Sequence, residues 1–432
     1  MKTRTARTKP AAPTGPRDRW FVHMALALVI AVGVLLRVIG LEGARTLSPD
    51  EYIYTQCAIR IADHGLGAMP GLFADYESDR ANWIFPCPSR FGHVLLFAAA
   101  MKISGVRDPS AGAAVSCLFS SLSLVLVMWI GLRFFNPWIA LAAGTFLAFS
   151  VGELGMAQRA WQDATFSFLG LLLVYLTCEI ARRPRRVLWY PAFLAVGAYS
   201  VLTKESGVLS YGLCAAWVLG VLLWRERSWR GAVLLALGGL ASLAGCLLVW
   251  SLLAGGWSTA LSAVNHSFHS GGGAWAAQYC SGPWYQFFYM LWLVGPATAA
   301  LALAGTAVAV LPCPLLGRLK GTVELADPRA AGVAAFVTLG FFAFSTLVPN
   351  FQYLRIIGPA DGPYCLLAGL GLWYLFSLAR GFLPESGGRA LFVLAAVGVV
   401  IAAVRDYHAF RLLIGSRMQD LAVRFIRQVM QR

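Results

Sequence analysis

The sequence predicts an all-α polytopic membrane protein of about eleven transmembrane helices, with short basic loops on one side and juxtamembrane helices in long outer segments on the other. Three observations carry that expectation. The chain of 432 residues is 58% hydrophobic and only 13% charged, more apolar than a soluble domain of this size tolerates at its surface. Many apolar runs are long enough to cross about 30 Å of hydrocarbon at about 1.5 Å per residue, and such spans are helical because their backbone must satisfy itself. The basic residues gather in particular loops, as cytoplasmic segments do. That clustering also accounts for the net charge of +15, so nucleic acid is not an expected partner.

The elements follow in chain order. Residues 1–19, "MKTRTARTKPAAPTGPRDR", read as a disordered basic cytoplasmic N-terminus. No small-residue cleavage site stands out after the apolar run at 20–41, which is taken as an uncleaved first span with its N-terminus inside. A long outer segment at 42–109 carries mixed charge. Within it "FGHVLLFAAAMKISG" is too short to span and suits the interface or a dip into the membrane. Spans follow at 110–130, before the inner "GLRFFNPW", and at 138–153, before the outer "GELGMAQRAWQDAT". The fourth runs to the basic "ARRPRR", the fifth rises to "VLTKESG", and the sixth descends to "WRERSWR". The seventh, at 231–254, opens a second outer loop at 255–285. The eighth, at 286–311, leads to the inner "PLLGRLKGTVELADPR". The ninth ends at "VPNFQYLRIIGP", the tenth at "ARGFLPESGGR", and the eleventh covers 390–404. Residues 20–404 thus form one membrane domain. The tail at 405–432 spaces Phe410, Ile414, Met418, Leu421, Phe425 and Val429 as one face of an amphipathic helix.

Nine cysteines are scattered without a CxxC pair, and inside apolar runs they act as small hydrophobes. Cys57, Cys87 and Cys280 fall in outer segments, where the compartment permits a disulfide between two of them.

Polar residues that bear on chemistry sit at the outer ends of the spans. In "LSPDEYIYTQC", Ser48, Pro49 and Glu51 make a capping box with proline at the first helical position, and Asp50 and Glu51 both suit the positive end of the helix dipole. The pair can be a plain helix start or a chemical centre. Arg159 and Asp163 in "RAWQD" are functional candidates, or an i,i+4 ion pair anchoring a helix end. Lys204, beside Glu205 in "LTKESG", is a snorkelling turn residue or a point charge for a lipid phosphate. Tyr353 and Arg355 in "NFQYLRIIGP" precede the tenth span, and an arginine there can grip a phosphate with two parallel hydrogen bonds. His266 and His269 in "NHSFH" could ligate a divalent metal if helical, though no third ligand is evident, so the metal requirement stays open. The aromatic "PWYQFFYMLWL" is an interfacial belt or a stacking surface for sugar or lipid.

The order of these segments resembles a known family. An Asp-Glu pair follows the first span, "FPCPSRFGH" stands where a PPL-type stretch would, and "GLRFFNPW", "QRAWQD", "LTKESG", "PWYQFFYMLWL" and "QYLRIIGPADGP" follow in turn. This series is similar to that of the GT-C membrane glycosyltransferases, in particular the protein O-mannosyltransferases and aminoarabinose lipid A transferases, over roughly residues 20–380. The resemblance implies an inverting transferase that moves a monosaccharide from a polyprenyl-phosphate carrier to a hydroxyl acceptor on protein, lipid or glycan. It implies a bacterial inner membrane with the active site facing the periplasm. Asp50 is implied as the catalytic base with Glu51 as its neighbouring acid, and Asp163 as the second outer acid. Lys204 and Arg355, with Tyr353, are implied at the donor phosphate. The carrier-linked sugar is the donor substrate, and no resident cofactor is otherwise expected. Sequence departures ("PCPSR" for the proline pair, "TKES" for TKG, Arg355-Ile356 for Arg-Tyr) leave sugar and acceptor open. The rival class is a transporter or flippase for a lipid-linked or anionic solute, with the same cations as ligands and Asp50 or Asp163 as proton relay. It lacks the paired broken helices that transporter repeats show. An inactive scaffold is the third reading.

Overall fold

The computed structural model describes residues 16–39, 41, 48–84, 88–270, 274–311, 327–348, 352–415 and 423–430. Among them no β-strand occurs. The first helix, α1 (Pro16–Val38), leads into an outer segment folded as α2 (Pro49–His64), α3 (Met69–Ser78) and α4 (Phe91–Ser104). The bundle continues with α5 (Pro109–Phe134), α6 (Pro137–Ala148), α7 (Val151–Ala157), α8 (Asp163–Arg182) and α9 (Trp189–Thr203). Next come α10 (Gly207–Gly220), extended by a π turn over Val221–Arg225, then α11 (Trp229–Ala254), α12 (Trp257–Ser270) and α13 (Ala274–Tyr279). The last part is α14 (Tyr285–Val294), α15 (Pro296–Val310), α16 (Pro328–Leu347), α17 (Gly358–Gly381), α18 (Glu385–Gly415) and α19 (Val423–Met430).

Several helices start in the same way. Asp108, Asn136 and Asp327 each accept from a backbone N–H of the first turn, and each is followed by proline at the first helical position. The polar side chain satisfies an orphan donor, and proline supplies a preset φ where its missing N–H costs nothing. The start at Asn136 leaves only two residues, Phe135 and Asn136, between α5 and α6.

Among the described residues eight helices are long and apolar enough to cross a membrane, or nine if the bent pair α6 and α7 counts as one span. Each of the eleven expected spans falls on helix, but the count of eleven is not reached by length. The fifth is only α9, with 15 residues. The eighth divides at Gly295, because Pro296 has no N–H for the α14 carbonyls and so begins a new helix. The expected boundary at 404/405 does not exist either. No Gly or Pro interrupts residues 399–414, so α18 runs through both the apolar run and the start of the amphipathic tail. Phe410 is buried there, while Met418 and Leu421 lie outside the described residues. So does Cys87, and with it any pairing of that cysteine.

The third span is bent by 58° between α6 and α7. A break at this depth exposes carbonyls that hydrocarbon cannot satisfy. Arg37 of α1, fully buried, donates to the carbonyls of Leu147 (3.2 Å) and Ala148 (3.3 Å) at the break. Its Nε donates to Ser120 (2.8 Å), whose hydroxyl donates to Glu153 of α7 (2.6 Å). The bend delivers the α7–α8 loop to the start of α2.

Helix α17 is the centre of the bundle, packed on α6, α8, α15 and α16. Its approach to α15 depends on two glycines. A Cβ on Gly305 would meet the carbonyl of Leu367, and one on Gly371 would meet the carbonyl of Leu301. Backbone cannot swing aside as a side chain can, and small residues at such crossings let helices approach closely. Gly305→Val is therefore expected to lower thermal stability in detergent by more than about 3 kcal/mol, the upper end of ordinary overpacking. Gly398→Val, which points into open space, is expected to leave the melting midpoint unchanged. On the outside of the bundle, Leu234, Leu237 and Leu240 of α11 and Val393, Val400 and Ile401 of α18 are exposed apolar faces suited to lipid.

The outer segment folds back on the bundle. Helix α4, 14 residues long, packs against α2, α5 and α9, and α3 packs against α11 and α12. These contacts set the N-terminus of α2 against the start of α8, the end of α9 and the start of α17.

Candidate functional site

The start of α2 is fixed from two sides. Ser48 and Glu51 form the expected capping box, with the Ser48 N–H donating to Glu51 Oε2 at 3.0 Å. Glu51 also accepts from Arg159 through both oxygens (Nε to Oε1 2.8 Å, Nη2 to Oε2 2.6 Å) and from the Ala160 N–H (3.1 Å). Trp161 Nε1 donates to Ser48 Oγ at 3.1 Å, and the Arg159 guanidinium lies 4.1 Å from the centre of the Trp161 ring. The expected Arg159–Asp163 pair is thus not formed. Arg159 belongs to the loop before α8, and α8 begins only at Asp163, so the two residues never share the helical spacing that would join them.

Glu51 is 1% exposed and its oxygens are occupied by five donors. It pins the α7–α8 loop to α2 and has no lone pair left for an incoming proton. Arg159→Ala would leave the Glu51 carboxylate buried without its partner, a change that costs about 3–5 kcal/mol. The variant is expected to melt early, with activity lost in step with the folded fraction. A thermal melt of the purified protein beside an activity assay checks this.

Asp50 shares the first turn of α2 but faces differently. Its Oδ2 lies 3.1 Å from Arg355 Nη1, which is also 3.9 Å from Asp163 Oδ2. Arg355 sits in the 3₁₀ turn Leu354–Ile357 before α17, with its guanidinium 5.3 Å from the Tyr353 ring and 5.2 Å from the Trp161 ring. Two aromatic faces therefore hold the cation. Lys204 ends α9 in an extended conformation and donates from Nζ to Asp163 Oδ1 at 2.5 Å. It is 5% exposed, so Lys204 does not snorkel. The chain of charges Asp50, Arg355, Asp163, Lys204 unites residues from four separated segments.

Two residues of this cluster went unmarked in the sequence. Arg90, just before α4, donates from Nε to Glu205 (2.8 Å) and from Nη1 to the Tyr54 hydroxyl (3.0 Å). Ser89 Oγ donates to the same Glu205 at 3.2 Å, and Trp250 Nε1 donates to the Ser89 carbonyl at 2.8 Å. The signal available was an arginine in "PSRFGH" and the second charge of "TKES", with nothing to join them. Burial pushes the Tyr54 phenol up, so it stays protonated. Burial also pushes the His93 imidazole down to about 4, against the opposing pull of Asp163, so at neutral pH it is uncharged. His93 Nδ1 is 3.3 Å from Thr165 Oγ1, beside the Asp163 turn.

Three carboxylates (Asp50, Asp163, Glu205) and three cations (Arg90, Lys204, Arg355) thus meet at one end of the bundle. Side-chain exposure divides them. Asp163 and Lys204 are 0% and 6% exposed, whereas Asp50 is 23%, Arg90 20% and Arg355 13%. The first pair is buried, and the other three are partly exposed. Such an arrangement can hold an anion on its cations and take a proton on Asp50.

His266 lies elsewhere. Its Nδ1 is 3.2 Å from Glu77 Oε1, Ser262 donates to Glu77 Oε2 at 2.7 Å, and its ring stacks on Trp83 with centres 3.5 Å apart. These contacts tie α12 to the outer segment. The side chain of His269 is outside the described residues. Among the described residues no group of three or more His, Cys, Asp or Glu is placed to hold a metal ion.

No protein-family model and no curated protein matches the sequence. Solved structures match it in fold. One is ArnT from Cupriavidus metallidurans bound to undecaprenyl phosphate, at a TM-score of 0.55 and 18% identity, covering 94% of this chain and 75% of that one. Another is the Archaeoglobus fulgidus oligosaccharyltransferase tethered to an acceptor peptide, at a TM-score of 0.59 and 12% identity, covering 90% of this chain and 55% of that one. The same archaeal enzyme, AglB, in complex with an inhibitory peptide and a dolichol phosphate matches at 0.56 and 10%. The chain spans three quarters of the length of ArnT and just over half that of the oligosaccharyltransferase. The chain shares its fold with these membrane enzymes, in line with the order of its segments.

Proposed function

We propose that this protein is an inverting glycosyltransferase that moves a monosaccharide from a polyprenyl-phosphate carrier to a hydroxyl acceptor at the outer face of a bacterial inner membrane. The observation that carries the reading is Asp50, held at the N-terminus of α2 and paired at 3.1 Å with Arg355 at the accessible edge of the charge cluster. Asp50 stands in the first turn of α2, at the positive end of the helix dipole.

A sugar linked to a polyprenyl phosphate already carries a good leaving group, so one carboxylate suffices. Asp50 takes the proton from the acceptor hydroxyl as its oxygen bonds to the anomeric carbon. The bond from that carbon to the phosphate oxygen breaks, and the electron pair leaves with the phosphate. The transition state has oxocarbenium character, as in glycoside hydrolysis. Arg355 and Arg90 stabilise the charge on the departing phosphate, and Lys204, locked to Asp163, adds positive potential. Tyr353 positions the Arg355 guanidinium. In this scheme the donor phosphate draws Arg355 away from Asp50, so donor binding itself releases the base.

The transporter reading is weaker, because Asp163 is the first residue of α8 and Asp50 lies in the outer segment, not at the bilayer midplane where transporter sites lie. Binding of undecaprenyl phosphate to the purified protein tests the phosphate assignment. Arg355→Ala is expected to weaken it by about 10–100-fold, the worth of a charge-assisted hydrogen bond. Unchanged affinity would remove Arg355 from the donor site.

A further inference from the structure

Helix α8 carries Asp163 at one end and Arg182 at the other, about 30 Å away for a helix of this length. At that far end Arg182, Arg183, Pro184, Arg185, Arg186 and Glu226 line an open cleft of about 480 Å³. Pro184 stops the helix from continuing between the two arginine pairs, and the Tyr190 hydroxyl donates to the Pro184 carbonyl at 2.8 Å, which holds the loop in place. Two further guanidiniums reach the end of α8 beside the cleft. Arg225 and Arg329 donate to the Ala181 carbonyl at 3.0 Å and 3.4 Å, one from the π turn after α10 and the other from α16. Four lining guanidiniums face the one lining carboxylate, Glu226, which already has Arg225 Nε at 3.7 Å.

Loop charge alone would satisfy the positive-inside rule without any cleft. Exposed apolar residues next to these charges in the chain add what that rule does not require. Val187, Leu188, Trp224 and Trp229 flank the arginines and are 74%, 80%, 86% and 72% exposed. A soluble anion would use the charges and leave these side chains in water. A ligand with a phosphate head and an apolar body uses both, because arginine grips phosphate through two parallel hydrogen bonds and tryptophan favours the headgroup level of a bilayer. Basic clefts between helix ends on the cytoplasmic side suit anionic headgroups.

We infer that this cleft, at the opposite end of the bundle from the charge cluster, binds the headgroup of an anionic glycerophospholipid. The test uses the full-length protein purified in detergent and offered phosphatidylglycerol or cardiolipin against phosphatidylcholine, with retained lipid counted by native mass spectrometry. Wild type is expected to retain the anionic lipid selectively. Arg183→Gln, Arg185→Gln and Arg186→Gln together should lower that retention at least about tenfold, at about fivefold per arginine near a charged surface. Arg411→Gln, on the exposed face of α18, should leave it unchanged. Equal retention of phosphatidylcholine, or a triple variant that retains as wild type does, overturns the inference. Displacement of the lipid by millimolar inorganic phosphate also overturns it, in favour of a soluble anion. If the triple variant does not fold, the lipid selectivity and phosphate competition of the wild type decide alone.

Discussion

Asp50→Asn is expected to lower the rate of sugar transfer by about 10²–10⁴-fold, the span that general-base catalysis supplies, while the protein stays folded. Asparagine matches aspartate in shape and keeps the first turn of α2 intact. Among the described residues the ion pair lost is the partly exposed one to Arg355, and pairs of that kind contribute about 1 kcal/mol or less. Stability should therefore change little while turnover collapses. Donor affinity should hold or rise, because Arg355 loses the nearer of its two carboxylates, leaving only Asp163 at 3.9 Å to compete with the phosphate. Turnover measured beside a melting curve separates these effects. A variant with wild-type turnover and wild-type stability would remove Asp50 from the chemistry. Glu51→Gln provides the contrast. Its neighbour sits in the same turn, but Glu51 is consumed by Arg159, Ala160 and Ser48, so its loss should appear as instability and not as a slow, well-folded enzyme.

The second large effect concerns the buried pair. Asp163→Ala leaves the Lys204 ammonium without the carboxylate that holds it at 2.5 Å, in a position 5% exposed. Breaking such a pair from one side costs about 3–5 kcal/mol, since the remaining charge stays desolvated. Replacing both partners by apolar residues of similar volume is often neutral. The double variant Asp163→Leu with Lys204→Met is therefore expected to recover most of the stability that either single change loses. Activity should not return with it, because the positive potential near the phosphate and the second acid beside Arg355 are both gone. A double-mutant cycle read in melting temperature and in turnover checks the account. Recovery of both together would mean that the pair is purely structural.

Much of this site was legible one residue at a time. Asp50, Asp163, Lys204 and Arg355 each stand at or near the end of an apolar run, where charge is costly without a partner or a task. Their mutual pairing was not legible, because it joins segments up to 305 residues apart. Local rules misled in one place. Arg159 and Asp163 are spaced for a helical pair, but the bend after α6 and the late start of α8 put Arg159 in a loop, where it turns to Glu51. Arg90 was hidden for a different reason. In a proline-rich stretch of a basic protein one more arginine carries no mark of its own, and only folding shows that it meets Glu205 and Tyr54. For the fold, the apolar runs marked the long helices of the bundle, but not α3, α12 and α13 in the loop segments. Their ends depended on interruptions, respected at Gly295-Pro296 and absent between α18 and the tail.

The central claim is that the Asp50 cluster transfers a carrier-linked sugar. The most direct measurement is mass spectrometry of lipids extracted from a strain lacking this protein and complemented with either the wild-type chain or Asp50→Asn. The account predicts that a polyprenyl-phosphate sugar accumulates in the deletion strain, disappears with wild type and persists with Asp50→Asn. Clearance of that lipid by Asp50→Asn, or no accumulation and no missing glycoconjugate in the deletion strain, would contradict it.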